Sequence, residues 1–243
     1  MWHFEILPDW HFDNATFLKI LFHVTRQLST TDRTTIRRGS ARARTERSDL
    51  HATLDAGLIC HLGLLIDGSP RVLPTGYGRS GDTLYVHGST GARSLREAAE
   101  GVEVCVTVTH LDGIVYARSL FHHSVNFRSA MIHGRARDVT DVDEKLQALR
   151  VITEQLAPGS WEHARQPNKR ELAATAVIAV DLAEAAVKIR NGGPNDDAED
   201  VEEATAWAGV LPLRTHWGPP EPSADLPSGF EVPSHVGERE QPA

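Results

Sequence analysis

The segment from Leu84 to Leu95 carries the residues best suited to chemistry, because a predicted strand there runs through glycine and hydroxyl residues into a predicted helix. Gly88 permits close backbone approach of a ligand. Ser89 and Thr90 offer hydroxyl donors, and Arg93 adds a guanidinium at the start of the helix, where free backbone N–H groups favour an anion. The segment therefore predicts a phosphate site, while the same pattern also fits a plain junction between strand and helix.

Other reactive residue types form no convincing site in the sequence. His122 and His123 are adjacent, and adjacent strand residues point to opposite faces, with no carboxylate or thiol at a helpful spacing. Cys60 and Cys105 lie inside apolar strand-like runs rather than in a close pair, which argues against a disulfide or a thiolate zinc site. We therefore predict no protein-bound metal, a reducing compartment and a cytoplasmic location.

Short strands joined by tight turns are predicted to position the phosphate segment. Leu58 to Ile66 is an apolar run closed by Asp67-Gly68, a strong hairpin signal. Val102 to Thr109 alternates with a period of two, as a strand with one buried face does. Further strands are predicted over Arg71 to Tyr77, Ser129 to Val139, Ala176 to Leu182 and Ala186 to Arg190, and further turns at Ser80 to Asp82 and at Asp112-Gly113.

Helices are few in the predicted arrangement. One runs from Ser48 as N-cap to Gly57, where a left-handed residue would end it. Thr140 or Asp141 caps a second, and the segment Asn168 to Glu171 begins a short third. Many short strands with a few peripheral helices predict a mainly β fold, as a closed or partly open antiparallel barrel.

Composition narrows the class of partner. The chain has 243 residues, 40% of them hydrophobic, which is enough for one packed domain with extensions. Its net charge of -8 repels polyanions and favours a small-molecule partner. Six arginines lie between Arg33 and Arg47, and such a charge run indicates a solvated segment rather than a nucleic-acid arm. We therefore do not expect a nucleic-acid partner. Phe17 to Val24 is too short to span a bilayer, so no membrane anchor is expected.

Three regions are predicted along the chain. Residues 1–36 form an N-terminal extension whose order the sequence leaves open. Residues 37–215 form the barrel domain. Residues 216–243 form a tail that we predict to be disordered, because proline, glycine, serine and glutamate dominate there.

Several motifs follow one another in a fixed order between Arg37 and Leu213. They are Leu58 to Gly63, Pro70 to Pro74, Leu84 to Ser89, Ala92-Arg93, Phe121 to Ser129 and Trp207 to Pro212. In this order they resemble the pyridoxamine 5'-phosphate oxidase-like split-barrel family, in its flavin-nucleotide-binding branch near the nitroimidazole-resistance proteins. The resemblance implies an antiparallel FMN-binding split β-barrel, and a homodimer that holds FMN in two clefts at its interface.

The resemblance also implies site residues. The phosphate would lie near Arg93, and the isoalloxazine edge along the backbone of Val72 to Thr75. His87 matches a histidine beside the flavin in relatives, which implies a catalytic role as proton donor or substrate contact. The residues alone favour the alternative, a histidine packed at a strand end. The implied FMN-binding residues are Val72, Leu73, Pro74, Thr75, His87, Gly88, Ser89, Thr90, Arg93, Asn126, Arg128, Ser129 and Trp207.

Departures from the family pattern affect the expected activity. Ala92 stands where many relatives have serine, and Ser94 replaces the lysine that follows the arginine in true oxidases. Because the end of the chain is Pro-rich and acidic, we assign no counterpart of their C-terminal Arg-x-His segment there, so pyridoxamine phosphate is not the expected substrate. We expect an FMN-dependent oxidoreductase acting on an unidentified small molecule, the flavin supplying the redox chemistry. The alternative is a non-catalytic module that holds FMN, the deazaflavin F420 or haem.

Overall fold

The computed structural model describes residues 27–242, so residues 1–26 of the predicted extension lie outside the described residues. The strands are β1 (Ala43–Arg44), β2 (Ile59–Ile66), β3 (Ser69–Ser80), β4 (Thr83–Ser89), β5 (Glu103–Tyr116), β6 (Ser124–Arg135), β7 (Arg137–Asp138), β8 (Thr175–Asp181), β9 (Glu184–Arg190) and β10 (Gly209–Pro212). The helices are α1 (Arg47–Asp55), α2 (Arg93–Ala99), α3 (Val142–Leu156), α4 (Ser160–His163), α5 (Lys169–Ala174), α6 (Ala198–Glu203) and α7 (Ser234–Gly237). None of these helices is long and apolar enough to cross a membrane.

The ten strands form one antiparallel sheet. Its order is β1-β9-β6-β5-β2-β3-β4-β8-β7, with β10 beside β5. Strand β3 joins the two halves, because it pairs with β2 along Ser69 to Gly76 and with β4 along Tyr77 to Ser80. This arrangement confirms the predicted mainly β, antiparallel split-barrel fold with peripheral helices.

Local chemistry explains the turns and caps that the sequence predicts. Asp67 and Gly68, between β2 and β3, have φ values of 51° and 72°, the left-handed conformation that a tight hairpin turn requires. Asp141 caps α3 by accepting a hydrogen bond from the Glu144 amide at 2.8 Å. Asn168 begins α5 with a complete capping box. These predictions are confirmed.

The predicted turn at Asp112-Gly113 is wrong, because β5 continues through this pair with a β-bulge between Leu111 and Gly113. Strand β10 pairs alongside, and a Cβ at Gly113 would lie 2.9 Å from the Leu211 carbonyl oxygen. Glycine here allows the close approach of another strand rather than a reversal of the chain.

The predicted end of the first helix also needs correction. Helix α1 begins at Arg47, after Glu46, and ends at Asp55 before a right-handed Ala56. Gly57 has no left-handed conformation among the positive φ values of the described residues. Its role is packing instead, since a Cβ there would meet the Tyr77 hydroxyl and lie 2.9 Å from a Val108 methyl.

Two hydrophobic clusters lie on opposite faces of β4. Leu84 and Val86 belong to the main core inside the curved sheet. Tyr85 belongs to a second cluster with Ile152 of α3. Gly78 on β3 lets α3 come close, because a Cβ there would lie 2.7 Å from the backbone of Val151 and Ile152. Strand β4 therefore has an inner face toward the core and an outer face toward α3.

Both ends of the described chain contact the barrel domain or fold back on themselves. Leu28 is buried in the main core, and Arg33 pairs with Glu184 and with Glu103 at 2.8 Å. In the C-terminal region, the Trp217 indole donates to the Glu240 carbonyl at 3.1 Å. The predicted disorder of the tail stays a prediction.

Candidate functional site

A cleft opens where β3 and β4 separate. The two strands pair from the turn at Ser80 and Thr83 as far as Tyr77 opposite Val86. Farther from this turn, β3 pairs only with β2, and β4 pairs only with β8. A cavity of about 210 Å³, which we call the wedge cavity, lies in this opening. It is lined by Leu62, Leu73, Pro74, Thr75, Val86, His87, Gly88, Ala92, Ser94 and Leu95. The fold therefore brings together two groups of predicted site residues, Leu73 to Thr75 on β3 and His87-Gly88 at the end of β4.

A second cavity of about 340 Å³ lies on the outer face of β4, and we call it the outer cavity. Helices α3, α4 and α5 contribute to its wall through Leu149, Trp161 and Glu171. His87 lines both cavities. Its neighbour on the same strand face is Tyr85, which packs against α3. The prediction that His87 and Tyr85 lie on the same face of the strand is confirmed.

The imidazole of His87 is an unusual polar group. Its Nδ1 atom is buried and has no hydrogen-bond partner among the described residues. Burial lowers the pKa of His87, so the ring is neutral at neutral pH. A buried nitrogen without a partner costs free energy. The predicted catalytic role of His87 stays a prediction.

The predicted phosphate residues are partly engaged within the chain. The Gly91 amide donates to Ser89 Oγ at 3.1 Å, and the Thr90 amide donates to the Ala174 carbonyl at 3.0 Å. The Ser89 hydroxyl hydrogen stays available as a donor. In the described structure Arg93 does not line the wedge cavity, whereas its neighbour Ser94 does.

The guanidinium of Arg93 faces two carboxylates. It donates to Asp67 at 2.7 and 2.8 Å and to Glu97 at 3.2 Å, and these hydrogen bonds raise its pKa. The Arg93 side chain is 54% exposed, so it is free to rotate toward a phosphate if it leaves Asp67. Its role as a phosphate ligand stays a prediction.

The remaining predicted residues lie elsewhere in the same chain. Asn126, Arg128 and Ser129 are on β6, which is the third strand along the sheet from β3, roughly 14 Å away at ordinary strand spacing. Trp207 is 70% exposed, and its ring lies 6.0 Å from that of Tyr116. One chain by itself therefore does not bring these four residues to the wedge cavity.

The polar β6 residues have partners within the chain. The Asn126 side chain donates to the Gly192 carbonyl at 3.1 Å and accepts from Arg190. Arg128 pairs with Asp112 at 2.9 Å. These contacts fix the orientation of both side chains at one end of the sheet, and a role toward FMN stays a prediction.

The outer face of the sheet holds a histidine that we did not predict as a site residue. Strand register places Pro74, His61, Thr107 and Met131 side by side on one face of four neighbouring strands. His61 is exposed and makes no hydrogen bond with any residue in the range 27–242. The alternation along β2, which puts His61 on one face with the exposed Ile59, was the available signal.

Folding also brings together a histidine and two carboxylates. Ligand atoms of His122, Asp197 and Asp200 lie within 4.8 Å of one another. His122 lies in a 3-10 helix, Leu120–His122, rather than on the strand that we assumed. Asp197 is 76% exposed, and exposed acidic groups at such a spacing are common without an ion. Sequence spacing offered no signal, because 75 residues separate His122 from Asp197.

Comparison with known proteins places this architecture in a family. The family model described as pyridoxamine 5'-phosphate oxidase matches residues 46–189. The chain belongs to this family. The predicted resemblance is thereby confirmed, and the wedge cavity lies wholly within the matched residues. Among curated proteins, none matches the chain significantly.

Solved structures add detail on cofactors. A flavocytochrome from Azotobacter vinelandii is 38% identical, with a TM-score of 0.82, over 87% of this chain and 98% of that one. An FAD and haem binding protein from Mycobacterium smegmatis is 38% identical, with a TM-score of 0.79, over 82% of this chain and 98% of that one. A candidate 5-nitroimidazole antibiotic resistance protein from Bacteroides thetaiotaomicron, 21% identical with a TM-score of 0.52 over 60% of this chain and 86% of that one, shares the fold. The similarities at 38% identity support a cofactor-binding role.

Proposed function

We propose that this chain is a flavin-binding redox protein whose isoalloxazine ring occupies the wedge cavity. The observation that carries the proposal is the opening between β3 and β4, where Leu73 to Thr75 face His87 and Gly88. On the N-terminal side of Tyr77, β3 does not pair with β4. The backbone groups along this edge of β3 are therefore accessible to polar ring atoms of a flavin. Val86 and Leu95 supply apolar walls for a flat ring.

The wedge cavity of one chain is small for a flavin site, which supports a site completed by a second copy of the chain. Its volume of about 210 Å³ is below the roughly 300–1,000 Å³ of usual small-molecule sites. The outer sheet face carries Ile59, Leu65 and Val72 with 49%, 63% and 67% of their surface exposed. Exposed apolar groups of this kind favour association. We therefore propose a homodimer in which the β6 residues of one copy approach the wedge cavity of the other.

FAD is the flavin that we propose, in place of the predicted FMN. The relative from Mycobacterium smegmatis is described as binding FAD and haem, and the relative from Azotobacter vinelandii as a flavocytochrome. Both cover more than four fifths of this chain at 38% identity. The comparison supports FAD together with haem over FMN alone.

Haem iron takes imidazole as an axial ligand. His61 is one of the histidines in residues 27–242 that have no hydrogen-bond partner. It lies beside Pro74, opposite it in the β2–β3 register. We propose His61 as a haem ligand next to the flavin segment.

The bound flavin would supply hydride and electron transfer, and the protein would supply position and exclusion of water. Leu73 to Thr75 would orient the ring edge, and Val86 and Leu95 would keep water from one side of it. The substrate class that we propose is a small molecule other than pyridoxamine phosphate. The Arg-x-His run near the C-terminal end, Arg214-Thr215-His216, lies outside the matched residues 46–189 and does not line the wedge cavity.

The absorption spectrum of the purified protein tests this proposal. Expression with added riboflavin and haem precursor should yield flavin bands together with a Soret band, and chromatography of the heat-released flavin should identify FAD. Flavin bands without a Soret band would remove the haem part. A colourless protein that shows no thermal shift with excess FAD would overturn the proposal, because ligand at a hundred times its Kd stabilises a protein by about 2.7 kcal/mol. If neither NAD(P)H nor dithionite reduces the flavin in flavin-loaded protein, the chain is not a redox protein.

A further inference from the structure

The outer cavity is a built pocket whose lining mixes flat, apolar and hydroxyl groups. Trp161 of α4 and Leu149 of α3 provide apolar surface, and Thr153 and Ser160 provide hydroxyls. Its volume of about 340 Å³ lies within the range of ligand sites. The proposed flavin ring does not use it, since the ring lies on the inner side of β4.

The backbone connects this pocket to the predicted phosphate segment. Ser89 pairs with Thr175 in the β4–β8 ladder, and the Thr90 amide donates to the Ala174 carbonyl at 3.0 Å. Thr175 lines the outer cavity, and His87 lines both cavities. A ligand whose ring lies in the wedge cavity and whose phosphates lie near Ser89 would therefore meet the rim of the outer cavity next.

Charge in the outer cavity favours a neutral group over a further phosphate. Arg165 is held by Glu171 through two hydrogen bonds of 2.7 and 3.0 Å, so its charge is balanced. His87 is neutral because burial lowers the pKa of its imidazole. A flat indole, hydroxyl groups and an imidazole nitrogen are the groups that bind a purine and its ribose by stacking and hydrogen bonding.

We propose that the outer cavity binds the adenosine half of FAD, with the adenine stacked on Trp161 and its edge beside His87 and the hydroxyls of Thr153 and Ser160. This inference rests on the proposed function. It makes Trp161 the residue that separates FAD from FMN, because FMN ends at its phosphate and never reaches the cavity.

Flavin titration of paired variants tests the adenosine site. Apoprotein is titrated with FAD and separately with FMN, and the change in flavin fluorescence gives each Kd. Wild-type protein should bind FAD more tightly than FMN. Trp161→Ala should weaken FAD about tenfold to a hundredfold, the loss expected for one base stacked on an aromatic ring, and leave FMN within about twofold. Trp161→Phe should restore most of the FAD affinity.

Controls separate the possible failures. Trp217→Ala is the matched control, since Trp217 stacks with Arg239 at 4.0 Å in the tail and should change neither affinity. Adenosine should compete with FAD and not with FMN on wild-type protein, a readout that stands even if Trp161→Ala fails to fold. Equal wild-type affinity for FAD and FMN, or equal loss of both in Trp161→Ala, would overturn the adenosine site and leave flavin binding intact. Failure to bind either flavin would remove the proposed function itself.

Discussion

Replacing Arg93 with alanine tests whether the guanidinium holds a flavin phosphate. In the described structure Arg93 donates to Asp67 at 2.7 and 2.8 Å and to Glu97 at 3.2 Å. An ionic hydrogen bond to phosphate raises affinity by roughly tenfold to a hundredfold. Giving up an exposed ion pair, as Arg93 must do with Asp67, costs at most about fivefold. We therefore expect Arg93→Ala to weaken FAD binding by about tenfold.

The same reasoning predicts that removing the Asp67 carboxylate strengthens FAD binding. Asp67→Asn removes the charge that competes for Arg93, so FAD should bind up to about fivefold more tightly. Arg96→Ala is the control, because Arg96 lies on the same helix and makes no ion pair among residues 27–242. Each Kd is measured by flavin fluorescence at two salt concentrations. If Arg93→Ala binds FAD as tightly as Arg96→Ala does, Arg93 is only a surface partner of Asp67 and the phosphate assignment is wrong.

Three further outcomes are expected from the structure. His61→Ala should abolish the Soret band and leave the flavin bands, and a retained Soret band would exclude His61 as the haem ligand. Gly78→Ala should lower the free energy of unfolding by about 1–3 kcal/mol in urea, because its Cβ would lie 2.7 Å from the Val151 backbone. Burial raises the pKa of Cys60 from 9.0 to about 12, so the neutral thiol favours the folded state below about pH 9 and this contribution is lost as pH rises toward 12. Iodoacetamide at pH 8 should therefore label Cys60 only in unfolded protein, as mass spectrometry of peptides would show.

Features set by neighbouring residues were predictable from the sequence. The turn at Asp67-Gly68 follows from two residues that adopt positive φ easily, and the cap at Asp141 from a short side chain that reaches back to the helix amides. Because side chains alternate along a strand, the sequence also predicts that His87 and Tyr85 lie on the same face of β4. The family motifs located the wedge cavity, since Leu73 to Thr75 and Gly88 all line it.

Features set by distant strands were not predictable. The bulge at Asp112-Gly113 looks like a turn until β10, about a hundred residues later, pairs with β5 beside it. The packing role of Gly57 depends on Tyr77, on another strand. Trp161 gained significance only when α3, α4 and α5 enclosed a cavity over β4, because nothing in its local sequence marks it as a binding residue. Tertiary packing decides each of these cases.

A crystal structure of the protein loaded with FAD tests the central claim most directly. The account predicts isoalloxazine density between Leu73 to Thr75 of β3 and Gly88 of β4, with residues of a second copy closing the open side. Ring density anywhere outside the opening between β3 and β4, or crystals that contain no flavin after soaking at saturating FAD, would contradict it.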